Sequence, residues 1–143
     1  GCMAMGAAGA WCGSVWLTTP ESETTPTVKE KMLAATSRGT VRSKARTGKY
    51  SRQLKTTWTD AWESEGAPAP LPMPLQSVVV EPVMHRIGQL AESGHDGARD
   101  LVSYFVGQGV GLMNESMSTR HVVQAFMEDF LEASERLTDF LGD

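Results

Sequence analysis

The first twenty residues, Gly1 to Pro20, carry no charge, and that opening limits what the rest of the chain can build. Within it Gly9-Ala10-Trp11-Cys12-Gly13-Ser14-Val15-Trp16-Leu17 reads as a short apolar strand. A charge-free strand is buried on both faces, as in a parallel sheet covered by helices. Gly13 inside it marks a place where something approaches the backbone closely. Met3 to Ala8, just before, are good helix formers. One strand of the parallel type cannot make a sheet, and most of the chain beyond it reads as helical. Two architectures remain: an all-helical protein with an apolar opening, or the tail end of an α/β barrel whose earlier strands precede this sequence.

Composition narrows the function classes. The 143 residues suffice for one ordinary domain. With 41% hydrophobic and 21% charged residues, wholesale disorder and a polytopic membrane protein are disfavoured. The opening lacks the basic n-region of a signal peptide, its glycines interrupt any spanning helix, and Met5 stands where myristoylation would want Ser or Thr. Cys2 and Cys12 are too few for a disulfide framework and have no histidines at metal-ligand spacing. The expectation is a reduced, cytoplasmic protein without a metal. His85, His95 and His121 are scattered, and each reads as a surface or helix-terminal imidazole.

The net charge of −4 hides a polarised chain. Nine of the 13 basic residues fall between positions 29 and 55 against the single acid Glu30, which gives that segment +8 and leaves −12 for the remainder. Such a stretch serves a phosphate, a nucleotide or an acidic partner, or is simply a solvated face. Nucleic acid is not expected, because no reading module accompanies the charge.

Along the chain, Thr25-Pro26 starts a helix running to about Arg38 and ended by Gly39. Thr40 to Leu54 is strand-like or irregular, with Gly48 as a turn. Trp58 and Trp62 share a helix face as packing anchors. Gly66 to Pro74 holds four of the seven prolines and reads as an extended connector. After Glu81-Pro82 a helix with the stripe Val83, Met84, Ile87, Leu90 and Ala91 stops at Gly94, and Asp96 caps the next, which carries Leu101, Val102 and Phe105. Gly107 to Gly111 is not a dinucleotide fingerprint, since its glycine spacing is wrong. Ser118 caps the last helix, with Met117 and Val122 as a staple and Val122, Val123, Phe126, Phe130, Leu137 and Phe140 as its buried stripe.

Three separated segments carry a resemblance. They are Ala4-Met5-Gly6-Ala7-Ala8-Gly9-Ala10-Trp11-Cys12-Gly13-Ser14-Val15-Trp16; Thr40-Val41 followed by Arg46-Thr47-Gly48-Lys49-Tyr50-Ser51-Arg52; and Val106-Gly107-Gln108-Gly109-Val110-Gly111-Leu112. In this order and spacing they resemble the nitronate monooxygenase family, formerly called 2-nitropropane dioxygenases, and the related flavin-dependent enoyl-acyl-carrier-protein reductases. The first is similar to the passage from helix 7 to strand 8. The second is similar to a Thr-Gly-Arg/Lys-Pro-x-Arg segment, with Tyr50 where Pro is common. The third is similar to an Ala-Gly-Gln-x-x-Gly-Leu segment ahead of the C-terminal helix.

The resemblance implies an α/β fold: the C-terminal part of a (β/α)8 barrel, of which strand 8 falls at about 9–17, followed by a mainly helical extension. Residues 1–65 would end the flavin mononucleotide (FMN) barrel with a basic excursion, 66–80 would connect, and 81–143 would form the extension. By family correspondence Trp11, Cys12, Gly13 and Ser14 line the flavin phosphate and ring edge; read from the residues alone, they are a strand end with a small-residue bend. Arg46, Lys49 and Arg52 would meet an acidic small-molecule substrate, or pack on the barrel as surface charge. The family's histidine base has no counterpart among His85, His95 and His121, so no catalytic residue is assigned. The implied activity is oxidation of alkyl nitronates with dioxygen; the alternatives are reduction of an enoyl thioester and, from another class, a helical interaction module. An orphan barrel strand would leave unpaired edges and an exposed apolar surface, so weak stability, aggregation or dependence on another polypeptide is expected.

Overall fold

The computed structural model describes residues 1–142. Its opening departs from expectation. Cys2 to Gly6 form hydrogen-bonded turns, with Met5 N donating to Gly1 O, and not a helix. Residues 9–13 have no regular structure, and Ser14–Leu17 is a short helix, α1. The expected strand over 9–17 is therefore not formed: a strand is held by a neighbour's ladder, and no described residue pairs with this segment. Local bonds take over. Trp16 Nε1 donates to Cys12 O, and the Thr18 and Thr19 hydroxyls donate back to Val15 O and Trp16 O, curling 12–19 into a helical turn.

Helix α2 (Pro26–Ala34) begins at its proline as read, but ends four residues before Arg38. Thr25 makes no side-chain cap; Glu92 Oε1 accepts the Thr27 N–H instead. Strands β1 (Thr40–Ser43) and β2 (Ser51–Leu54) form an antiparallel hairpin in the register Thr40 to Leu54 and Ser43 to Ser51. Gly48 turns between them at φ +80°, and a Cβ there would sit 2.2 Å from Leu71 O, so only glycine fits. Residues 104–106 lie along the other edge of β2, where Leu54 N donates to Tyr104 O and Val106 N to Arg52 O.

Helix α3 (Thr57–Glu63) carries a reciprocal capping box between Thr56 and Thr59. On it Trp58 and Trp62 pack with ring centroids 5.9 Å apart, the packing role read from their spacing. The proline-rich connector runs only to Pro74, because α4 (Leu75–Glu92) starts well before Pro82 and encloses it. The missing N–H of Pro82 would have met the carbonyl of Val78, an exposed residue whose oxygen water can serve. The inward stripe of α4 is accordingly Gln76, Val80, Met84, Ile87 and Ala91, while Val83 faces out. Gln76 clasps the hairpin to the connector: its Nε2 donates to Ala45 O at 2.7 Å and its Oε1 accepts Leu71 N.

After the Gly94 turn, α5 (Asp96–Leu101) is capped by His95, whose Nδ1 accepts Ala98 N, and not by Asp96, which stands one place inside. A 3-10 helix (Gln108–Leu112) and the long α6 (Thr119–Leu141) complete the order. The core joins Val28 and Met32 of α2, Leu54, the α4 stripe, and Ala98, Val102, Val106 and Val110. Met32 and Val110 are fully buried and contribute about 1.5–3 kcal/mol each by burial. The fold is thus helix-rich with a small sheet.

Helix α6 keeps its expected start, Ser118 Oγ accepting His121 N, but not its expected burial. Of the stripe only Val122 is buried; Val123, Phe126, Phe130, Leu137 and Phe140 are exposed. Burial requires a facing surface, and only the first turns of α6 meet one, through Val122 and the Trp16–Phe126 edge contact. No helix among the described residues is long and apolar enough to cross a membrane.

Much of the basic segment is used internally. Lys29 Nζ donates to the carbonyls of Thr19 and Ser22, and Lys31 Nζ to those of Asp100 and Val102. Burial pushes the Lys31 ammonium below its ordinary pKa, against the raising influence of Asp100. Long lysine stems laid over the protein with their heads on carbonyls explain why this charge is not one free patch.

Candidate functional site

Cys12, Ser14 and Thr18 of the opening segment line one cavity. Gly13 precedes α1 as its N-cap, and Ser14 is the first helical residue. The N–H groups of Gly13 and Ser14 have no acceptor among the described residues. A Cβ placed on Gly13 would meet nothing within 4 Å, so open space lies before it. Ser14 Oγ accepts Gly107 N at 2.7 Å, a bond between residues 93 apart in sequence. That bond uses an oxygen lone pair and leaves the hydroxyl proton available to a ligand.

Cys12, Gly13, Ser14, Gly107 and Gly109 share the lining of a cavity of about 720 Å³ between α1, the 3-10 helix and the first half of α6. Gly111 fixes the 3-10 helix against its neighbour: a Cβ there would lie 2.4 Å from both Ser37 N and Ser37 Oγ. The start of α6 is pinned from the other side. Glu21 Oε2 accepts the Thr119 N–H at 3.1 Å and its hydroxyl at 3.2 Å. Backbone hydrogen bonds, from its own N–H and then from Thr119, hold the Glu21 carboxyl below the usual glutamate range.

Of the residues read from sequence for a cofactor, Cys12, Gly13 and Ser14 are thus brought together on one wall. Trp11 is fully exposed and does not line the cavity. The bases Arg46, Lys49 and Arg52 are elsewhere, on the hairpin, and none lines it. Arg46 is buried, its Nε and Nη2 on the two oxygens of Glu81 at 2.8 and 2.9 Å and its Nη1 on Ser103 O at 3.2 Å. The guanidinium also lies 4.9 Å from the Phe105 ring centre. Arg52 Nη1 donates to Thr40 Oγ1, and Lys49 is exposed. Arg42 and Lys44 flank the exposed Tyr50 ring at 5.5 and 4.9 Å.

Sequence reasoning missed Glu81 as the partner of Arg46, and the cavity walls Leu112, Met113 and Met117. The signals for the walls were the third family-like segment, which ends at Leu112, and the Met117–Val122 staple at the start of α6. No group of three or more His, Cys, Asp or Glu among the described residues is placed to hold a metal ion.

A family model described as nitronate monooxygenase matches residues 1–129. A candidate monooxygenase of Mycobacterium tuberculosis, Rv1533, is 52% identical over 130 residues, which are 91% of this chain and 35% of that protein. Among solved structures, FabK from Thermotoga maritima matches with a TM-score of 0.69 and 27% identity over 96% of this chain and 42% of that one. A mutant of the same FabK matches with a TM-score of 0.65 and 25% identity, over 96% and 38%. The chain spans about a third of the length of the curated relative.

Proposed function

The chain belongs to the nitronate monooxygenase family, and we propose on that premise that it forms part of a flavin mononucleotide oxidoreductase on a (β/α)8 barrel that oxidises alkyl nitronates with dioxygen. The observation that carries this reading is the Ser14–Gly107 bond, which joins two segments of the family resemblance at one cavity.

The donor set fits the cofactor's phosphate. Two adjacent N–H groups, at Gly13 and Ser14, stand without acceptors beside a hydroxyl whose proton is uncommitted, and such concave backbone donors bind anions. Gly13 lets a phosphate approach the backbone, and Ser14 adds its hydroxyl. Cys12, on the same wall, is assigned to the ring edge; Trp11, outside this cavity, would meet the ring edge only from its exposed side. When bound, the flavin would accept the substrate's electrons and pass them to dioxygen. The work of this chain is binding and orientation: Gly107 fixes the Ser14 side chain, and the 3-10 helix supplies one wall of the cavity. The proton-abstracting base is assigned outside this chain.

A second reading, reduction of an enoyl thioester at the same flavin site, is favoured by the exposed bases around Tyr50 and Lys49, which suit a substrate bearing phosphates. Arg46, Lys49 and Arg52 are assigned to that substrate contact. With the Arg46 fork already on Glu81, Lys49 and Arg52 carry most of it. Loss of substrate affinity with flavin retained in Arg52→Ala supports that assignment.

Titration of the purified protein with FMN, followed by quenching of flavin fluorescence, tests the main proposal. Saturable binding is expected, and Gly13→Val should abolish it because the branched side chain fills the approach. Equal flavin occupancy in Gly13→Val overturns the site.

A further inference from the structure

The exposed apolar face of α6 is more regular than packing within this chain requires. Val123, Phe126, Phe130, Ala133, Leu137 and Phe140 recur at alternating spacings of three and four residues, the a and d positions of a heptad pattern. The five larger side chains are 43–85% exposed, and none belongs to the core. Their seam runs about 25 Å along the helix. From Phe130 onward it lies past residues 1–129, the stretch matched by the family.

The seam is complementary to itself about a two-fold axis. Laid antiparallel on a second α6, with Phe130 facing Ala133 of the copy, it brings Phe126 onto Leu137 and Val123 onto Phe140. The axis repeats each layer, so every layer sets a larger side chain against a smaller one, the arrangement that fills space evenly. A parallel pair would stack Phe130 on Phe130 and Ala133 on Ala133, crowding one layer and leaving a void in the next.

Charge selects the same register. Asp129 and Arg136 stand at the g positions on one edge of the seam, and in an antiparallel pair g faces g. Asp129 then meets Arg136 of the copy on both sides of the axis. In a parallel pair Asp129 would face Ser134 and Arg136 would face Leu141, with no ion pair formed. Arg136 already touches Glu132 on its own helix, but both are exposed and the guanidinium has donors to spare. Antiparallel pairing also sends the two bodies to opposite ends, since only the first turns of each α6 meet its own body.

We propose that the seam of α6 docks α6 of a second copy of this chain as an antiparallel coiled coil, with its two-fold axis between Leu131 and Glu132. The proposal goes beyond the flavin reading and does not depend on it.

Sedimentation equilibrium of the purified protein, over a range of concentrations and at low and high salt, tests the pairing. A reversible equilibrium between monomer and dimer without larger species is expected, because a self-complementary patch is used up when two copies meet. Phe130→Glu should weaken the dimer at least tenfold, since it puts a charge into both central layers. Val78→Glu, at an exposed position on α4, should leave it unchanged. Asp129→Arg should weaken it about tenfold at low salt and less at high salt, by setting guanidinium groups against each other on both sides of the axis. Combining Asp129→Arg with Arg136→Asp should restore the dimer. Positions seven apart on one helix are too distant to pair, so that rescue reads the contact between copies. Far-ultraviolet circular dichroism follows the helix in each variant; Asp129 is exposed, so the charge exchange decides the matter even where Phe130→Glu loses helix.

A monomer at every concentration overturns the proposal, and so does a ladder of larger species. A dimer that Phe130→Glu leaves intact has its interface elsewhere and overturns it as well. Equal dimerisation of the unsubstituted protein and Asp129→Arg, or no recovery in the double exchange, overturns the antiparallel register and the proposal with it.

Discussion

Arg46 and Glu81 form a two-pronged ion pair, Nε to Oε1 at 2.8 Å and Nη2 to Oε2 at 2.9 Å, that ties the hairpin to the middle of α4. The third arm of the guanidinium reaches Ser103 O, so one side chain joins three segments. The Arg46 side chain is 10% exposed and that of Glu81 47%, so the pair sits at the edge of the interior.

Replacing Arg46 by Met should destabilise the protein by about 1–3 kcal/mol, the loss of charged hydrogen bonds reduced by the exposure of Glu81. Arg46→Lys should recover little of it, because an ammonium cannot span both carboxylate oxygens and the Ser103 carbonyl. Urea denaturation midpoints compare the three proteins. Equal stability of the Lys and Arg forms would show that charge alone, without the fork, holds the segments.

The same pair predicts a pH dependence. The hydrogen bond from Arg46 lowers the Glu81 pKa, outweighing the upward push of burial. A carboxylate depressed in the folded state adds stability that is fully present above its unfolded pKa and fades as pH falls through the lower folded value. Stability should therefore drop as pH goes from the ordinary glutamate range downward, and Glu81→Gln should make that drop shallower. Parallel acid curves for the two proteins would exclude Glu81 as a contributor.

Gly48→Ala tests the hairpin turn. The left-handed φ of +80° and the 2.2 Å approach to Leu71 O act together, and such strain costs about 2 kcal/mol or more. Gly88→Ala, on α4 with nothing within 4 Å of its added carbon, should be neutral or stabilising by up to about 1 kcal/mol. The contrast between the two thermal midpoints is the measurement.

Ser14→Ala separates binding from stability. Gly107 N–H lies at the surface and can turn to water when Ser14 Oγ is gone, so the fold should lose less than about 1 kcal/mol. On the proposed flavin reading, FMN affinity should fall about tenfold, because Ser14 would then no longer offer a charge-assisted hydrogen bond to the phosphate. A large stability loss with flavin affinity unchanged would make Ser14 a structural residue only.

Features written within a few residues were legible before any contact was known. Pro26 opens α2, Gly48 turns the hairpin, Gly94 divides α4 from α5, and Ser118 caps α6, because each depends on a local φ preference or on a side chain three residues from its partner. The sequence also held the family, through three segments whose order could be recognised. Tertiary structure decided what those segments do to one another. Residues 12–19 curl, since a strand exists only by a neighbour's hydrogen bonds. Pro82 stays inside a helix because the carbonyl it orphans faces water. Arg46 finds Glu81 across 35 residues, and Ser14 finds Gly107 across 93. Such pairings leave no mark in spacing or periodicity, since they are set by how elements pack. The apolar stripe of α6 shows the same division. Its periodicity is plain in the sequence, but whether it is buried depends on what surface faces it, and within this chain only its first turns meet one.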